Sequence, residues 1–332
     1  MQVEFLEVLR CPQCYGRLAL TEARAAGTRV HSGWLVCADG RHRYPIRDFV
    51  PRFVPQSNYA DSFGWQWQRF RRTQLDSYSG HPISAQRFWR ATGWSPGELA
   101  GAWVLDAGCG AGRFAEIALR AGAQVVALDY SAAVDACYEN LRQYPGLHVV
   151  QADIYALPFA RRTFSRVYSL GVLQHTPDAG AAFAALPPMV RDGGRLAVDF
   201  YERSWKSRLL PKYWLRPLTT RVSQPRLFGA LERWVPRVLR VSASVRRLPL
   251  LSRALRSLTP VADYTGVLPL SAQQQLEWSL LDTFDWYGPA YDHPQTARTL
   301  RTWSGEAGLR EVEIVKAGHL VVRGVVTHAS GN

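Results

Sequence analysis

The chain has 332 residues, 47% apolar and 20% charged, so it can bury a core and is not globally disordered. The formal net charge of +13 is uneven: residues 203–256 hold fourteen Lys/Arg against one acid, Glu232, which leaves the rest neutral. No run of ~18 apolar residues is present, so a transmembrane helix is excluded, and the length fits two domains or one enlarged one. The first residues, MQVEFLEVLRCPQC, carry acids where a secretory leader would carry a basic segment and an apolar run, so no leader is expected. Five cysteines in unlike settings argue against a disulfide framework and for a reducing compartment, the cytoplasm.

In chain order, residues 1–55 form a short unit with Cys11-Pro-Gln-Cys14, then Cys37, then His42. Zinc takes four soft or borderline ligands, and a closed Cys3His set is structural because it leaves no open position for chemistry. The expected ligands are Cys11, Cys14, Cys37 and His42, with His31 or Asp39 as alternates for the fourth. Residues 56–100 are dense in aromatics. Within them, residues 58–76 are expected to cover a cofactor as a helix, with Phe63 and Trp67 four apart on one face; such a stripe also suits a core.

Residues 101–200 alternate strand-like and helical stretches, which points to a doubly wound parallel sheet. AWVLDAG is the first strand, residues 111–121 a helix, and QVVALDY the second strand, with Ser131 as N-cap of the next helix. LHVVQADI, FSRVYSLGVL and GRLAVDFY are three more strands, and residues 178–190 a helix distorted by Pro187 and Pro188. Residues 201–280 read as a cationic cap of helices broken at Pro211, Pro217, Pro225 and Pro236. Residues 281–332 read as a substrate-wall loop followed by two strands, LREVEIVKAG and HLVVRGVV, turning at residues 316–318.

The chemistry centres on Val104-Leu105-Asp106-Ala107-Gly108-Cys109-Gly110-Ala111-Gly112, between the first strand and the first helix. Glycines there allow a sharp turn and a close backbone approach to a ligand, although dinucleotide sites share that pattern. Asp106 directly before the loop would repel a pyrophosphate but accept an ammonium. Asp129, followed by Tyr130, ends the second strand, where a carboxylate can hold both ribose hydroxyls. Asp153-Ile154 offers adenine an acceptor and an apolar face. Cys109 reads as a packed residue rather than a nucleophile.

VLDAGCGAGRF, ALDYS, QADI, SLGVLQHTPD and RDGGRLAV, in this order, resemble the motifs of class I S-adenosylmethionine (SAM)-dependent methyltransferases across residues 101–200. The resemblance implies a Rossmann-like seven-stranded sheet. It places Gly108, Gly110 and Gly112 under the amino-acid part of SAM, Asp129 on the ribose, Asp153 and Ile154 at the adenine, and Leu170 and Gly171 along the methionine arm. The family often has Asp at the position of Ser165. The stretch LRCPQCYGRLAL to RYPIRDFVPRF resembles the zinc-ribbon protein that partners tRNA and release-factor methyltransferases. With SFGWQW, GVLQHTPD and LLDTFDWYGPAYD, the whole chain resembles zinc-ribbon-bearing methyltransferases of the ubiquinone/menaquinone C-methyltransferase type, and structural zinc and a small-molecule, glycan or lipid-linked acceptor are then expected.

His175 leaves the fourth strand toward the expected methyl position and is the candidate base; the alternative is a packed histidine that fixes the loop. Asp285 and His293, in the wall formed by LDTFDWYGP and Tyr291-Asp292-His293, are the other catalytic candidates. An RNA methyltransferase that uses the ribbon and the basic segment is a second reading, and a non-catalytic SAM-binding partner protein a third. The cationic cap, with Trp205, Trp214 and Trp234, suits an anionic inner-membrane surface or a phosphate-bearing substrate.

Overall fold

A computed structural model describes residues 1–55, 66–204, 210–245 and 259–328. Four antiparallel strands open the chain: β1 (Leu18–Ala26), β2 (Arg29–Cys37), β3 (Arg43–Arg47) and β4 (Val50–Pro51). The main sheet has seven strands: β5 (Trp103–Ala107), β6 (Gln124–Asp129), β7 (Leu147–Gln151), β8 (Phe164–Ser169), β9 (Val190–Phe200), β10 (Leu309–Ala317) and β11 (His319–Val326). Their order is β10-β11-β9-β8-β5-β6-β7, parallel from β9 to β7, with β11 antiparallel to both neighbours. This is the expected Rossmann-like seven-stranded architecture. The order reverses between β5 and β8, and a crevice at the carboxyl ends of such strands is where ligands bind in open α/β sheets.

The helices are α1 (Asp76–Ser79), α2 (Ile83–Thr92), α3 (Ala115–Arg120), α4 (Ala133–Leu141), α5 (Ala179–Ala184), α6 (Pro211–Thr219), α7 (Gln224–Val245), α8 (Ala272–Tyr287) and α9 (Ala297–Glu306). Regular α-helix after the glycine loop begins at Ala115 rather than residue 111, because Gly110 and Gly112 hold positive φ angles of 53° and 94°. β7 ends at Gln151, short of Asp153. Pro187 and Pro188 end the α5 region in a 3-10 turn, as expected.

Two expectations about the cap need correction. The segment read as a wall loop from residue 281 is helical to Tyr287: Ser271 and Gln274 form a capping box that starts α8, and the helix stops at Gly288-Pro289. Nor do all four prolines break helices. Pro211 opens α6 and Pro225 lies in the first turn of α7, where no amide donor is needed, but Pro217 and Pro236 sit inside their helices. An interior proline costs ~3 kcal/mol. Burial of Leu227, Phe228, Leu231 and Val235 with Leu280, Leu281 and Phe284 of α8 offsets that cost in α7. Trp205, Phe63 and residues 246–256 of the basic segment lie outside the described residues.

The N-terminal unit shares its core with the main sheet. Phe5, Leu9, Cys11, Leu35 and Cys37 belong to one buried cluster with Leu105, Val150, Phe159 and Phe164. Leu9 bridges Phe159, and Phe53 donates to the Gln151 carbonyl at 2.8 Å. His148 of β7 sits at this seam, with its ring centroid 4.6 Å from Phe5 and 5.2 Å from Trp103. Burial pushes its pKa down to about 4, and the Arg29 charge adds to the shift. The folded value lies below the ordinary ~6.5, so the unfolded chain takes up the proton first. Stability is therefore full above that ordinary value and falls as the pH drops toward 4, by at most ~1.4 kcal/mol per unit. His148→Phe should flatten this limb; urea titrations of both proteins at pH 7 and pH 5 check it, and equal losses would refute it.

Candidate cofactor and acceptor site

The β5–α3 loop is built for close packing. A Cβ added at Gly108, φ +96°, would lie 2.4 Å from Val172 Cγ1, and one at Gly112 would lie 2.6 Å from Leu141 Cδ1. Gly110 faces the Trp67 indole, which would lie 3.0 Å from such a Cβ. Trp67 therefore packs over the loop. Beside it opens a cavity of about 350 Å³. One wall holds Gly108, Gly110, Asp129, Tyr130, Ile154, Leu170 and Gly171.

Asp129 ends β6 and is already organised: Oδ2 accepts from the Gly110 amide at 2.9 Å, and Oδ1 accepts from the Ser131 amide and hydroxyl at 2.9 and 2.7 Å. Burial raises its pKa. Asp106 and Asp153 do not reach this wall. Asp106 lies under the loop, 2% exposed, and burial pushes its pKa up to about 8. Asp153 turns Oδ1 to the Tyr155 amide at 2.9 Å. Gly112 packs on α4 instead of lining the cavity. Cys109 is buried, and burial raises its thiol pKa well above the ordinary value, which suits a packed residue.

The same cavity is also lined by His175, Tyr201, Tyr264, Asp282, Asp285 and Trp286. His175 is 6% exposed, and its Nδ1 lies 3.0 Å from the Tyr291 carbonyl. A carbonyl only accepts, so Nδ1 carries a proton, and in the neutral tautomer this selects the lone pair falls on Nε2. That nitrogen is 3.8 Å from Asp285 Oδ2, which accepts from the Tyr201 hydroxyl at 2.9 Å. The helical form of residues 281–287 brings Asp282 and Asp285 into the cavity together. His293 does not line it; its amide donates to the Gln174 carbonyl at 2.8 Å and its ring stacks on Tyr291. It thus supports the loop whose carbonyl orients His175.

Several residues escaped the sequence reading. Asp199 of β9 is fully buried and accepts from the Gly171 amide at 2.5 Å and from Arg87 at 2.8 Å. Burial alone would raise its pKa, but Arg87 and His319 hold it well below the usual carboxylate range. Arg113 follows the glycine loop and donates to Ser84 Oγ at 2.9 Å and Gln74 Oε1 at 3.0 Å; burial, then the Arg87 charge, brings its pKa down to about 10. Tyr264 donates to Asp282. An acid inside the apolar run LAVDFY was the one available signal, for Asp199.

In the N-terminal unit the donor atoms of Cys11, Cys14, Cys37 and His42 all lie within 4.8 Å of one another. His42 Nδ1 is 3.5 Å from Cys11 Sγ and 3.4 Å from Cys37 Sγ. Ligands at 2.0–2.3 Å from a tetrahedral zinc stand roughly 3.5–3.8 Å apart, so the donor set fits zinc. The His42 amide donates to Cys37 Sγ at 3.1 Å and Tyr44 Oη lies 3.3 Å from Cys11 Sγ, a second shell that suits thiolates. Asp39 Oδ1 lies 2.7 Å from Cys37 Sγ and His31 faces Asp48, and neither alternate belongs to the four-residue cluster.

Comparisons with known proteins agree with this division. Residues 105–198 match a family described as a methyltransferase domain, and residues 2–48 match one described as Trm112p-like protein. An uncharacterized chloroplastic methyltransferase of Arabidopsis thaliana is 30% identical over 221 residues, 57% of this chain and 60% of that protein. A malonyl-[acyl-carrier protein] O-methyltransferase of Pseudescherichia vulneris is 41% identical over 30% of this chain and 39% of its own length. The demethylmenaquinone methyltransferase of Thermobifida fusca is 34% identical over 35% of this chain and 51% of its own. The chain thus spans 39–60% of the length of these relatives.

Proposed function

We propose that this chain, a class I SAM-dependent methyltransferase with an N-terminal zinc ribbon, transfers a methyl group to a hydroxyl of a small, largely apolar acceptor. The observation that carries the reading is one cavity lined both by the glycine loop, Asp129 and Ile154 and by His175 with Asp285.

The glycine loop, an acid already held for two hydroxyls, and the apolar faces of Ile154 and Leu170 fit SAM, which supplies an electrophilic methyl group when bound. Arg87 and Arg113 give the same cavity two buried guanidiniums suited to the carboxylate of an amino-acid moiety. On the acceptor side, His175 Nε2 takes the proton of the hydroxyl. Asp285 then stabilises the imidazolium, and Tyr201 fixes the carboxylate. Leu281, Trp286 and Tyr264 exclude water. Relatives named malonyl-[acyl-carrier protein] O-methyltransferase and demethylmenaquinone methyltransferase support a small or carrier-linked acceptor. The zinc, held by Cys11, Cys14, Cys37 and His42, is proposed as structural because four protein ligands close its shell.

Asp129→Ala tests the cofactor wall. It removes an acceptor worth ~1.5–3 kcal/mol per charge-assisted bond and should weaken SAM at least ~10-fold by calorimetry. Unchanged affinity would remove Asp129 from the ribose.

A further inference from the structure

A surface helix ordinarily turns its charges to water. α6 does the reverse. Lys212 and Arg216, four residues apart, are 8% and 9% exposed, while Trp214 and Leu218, also four apart, are 64% and 65% exposed. The inner cations are committed to the interior. Lys212 Nζ lies 3.3 Å from Asp292 Oδ2 and over the Tyr201 ring, and Arg216 donates to the carbonyls of Trp286 and Pro289 at 2.9 and 2.8 Å. Leu215 of α6 and Trp234 and Val241 of α7 are exposed as well. The same two helices and their connection expose Arg221, Arg226, Arg233, Arg237 and Arg240. Glu232, the one acid in residues 210–245, is ion-paired with Arg69.

We propose that the outer face of α6 and α7 docks on an anionic lipid bilayer. Arginines meet the headgroup charge, and the exposed tryptophans bring an apolar body with one polar edge, which suits the headgroup boundary. Leu215, Leu218 and Val241 gain from an acyl environment and nothing from a phosphate backbone, which favours lipid over nucleic acid. The inner face of α6 holds the loop that carries Tyr291, so docking sets the cavity beside the bilayer.

Full-length protein is sedimented with vesicles of 30% phosphatidylglycerol in phosphatidylcholine and with pure phosphatidylcholine, at low and raised salt. It should pellet with the anionic vesicles, not the neutral ones, and be released by salt. Replacing Arg233, Arg237 and Arg240 together by serine should lower partition about 100-fold, at roughly fivefold per residue. Dibrominated phosphatidylglycerol should quench tryptophan fluorescence in the parent and not in Trp214→Phe/Trp234→Phe, with melting temperatures unchanged as the folding control. No binding to either vesicle, equal binding to both, or absence of quenching would each overturn the proposal. Retention on RNA without vesicle binding would reassign the surface to nucleic acid. The vesicle assay needs no cofactor, so its failure leaves the methyl-transfer reading standing.

Discussion

Cys11→Ser is expected to release the zinc and lower the melting temperature of the whole chain, not only to loosen residues 1–55. Cys11 is fully buried between Tyr44 and His42, and it shares a hydrophobic cluster with strands of the main sheet. Structural zinc sites contribute ~10–16 kcal/mol of apparent binding free energy, comparable to the entire stability of a domain. Loss of even ~5 kcal/mol would shift the melting temperature by roughly 10–20 °C. Phe5 and Leu9 lose their ordered partners when the ribbon opens, and the β7 edge of the sheet is uncovered with them. Elemental analysis should find one zinc in the parent and none in the variant. A metal-free parent with an unchanged melt would refute the site.

His175→Ala should lower kcat by ~10²-fold or more while SAM affinity stays near that of the parent. His175 lines the cavity together with Asp285, and Asp129, the acid proposed for the ribose, is held by other contacts, to Gly110 and Ser131. Asp285→Asn should act in the same direction but less strongly, because it keeps the Tyr201 contact and removes only the charge that stabilises the imidazolium. Binding is read by calorimetry and turnover by methyl release. A fully active His175→Ala would move the base elsewhere on the wall, with Asp285 the first alternative, or indicate transfer to carbon.

The residues proposed to hold the cofactor could be picked out because the signals are local. The glycine loop follows the end of β5, Asp129 ends β6, and Ile154 lies three residues past the end of β7, and such strand ends can be read from short apolar runs. His175 was legible as a residue, but its tautomer comes from a carbonyl 116 residues away. Asp285 was expected on a loop. Its helix is announced by Ser271 and Gln274, a local signal, yet its pairing with Tyr201 spans 84 residues. The Arg87–Asp199 pair spans 112. Such contacts follow from sheet order, which periodicity does not encode. α6 was the hardest case. Its pattern marks two faces but not which one is buried, and the usual rule fails because Asp292 and the carbonyls of Trp286 and Pro289 at the end of α8 take up its cations.

The most direct test offers methyl-tritiated SAM to the purified protein together with extracts separated into small molecules and RNA. The account predicts label in the organic-soluble small-molecule fraction, and ~10²-fold less with His175→Ala. Label confined to RNA, or no transfer by a protein that binds SAM, would contradict it.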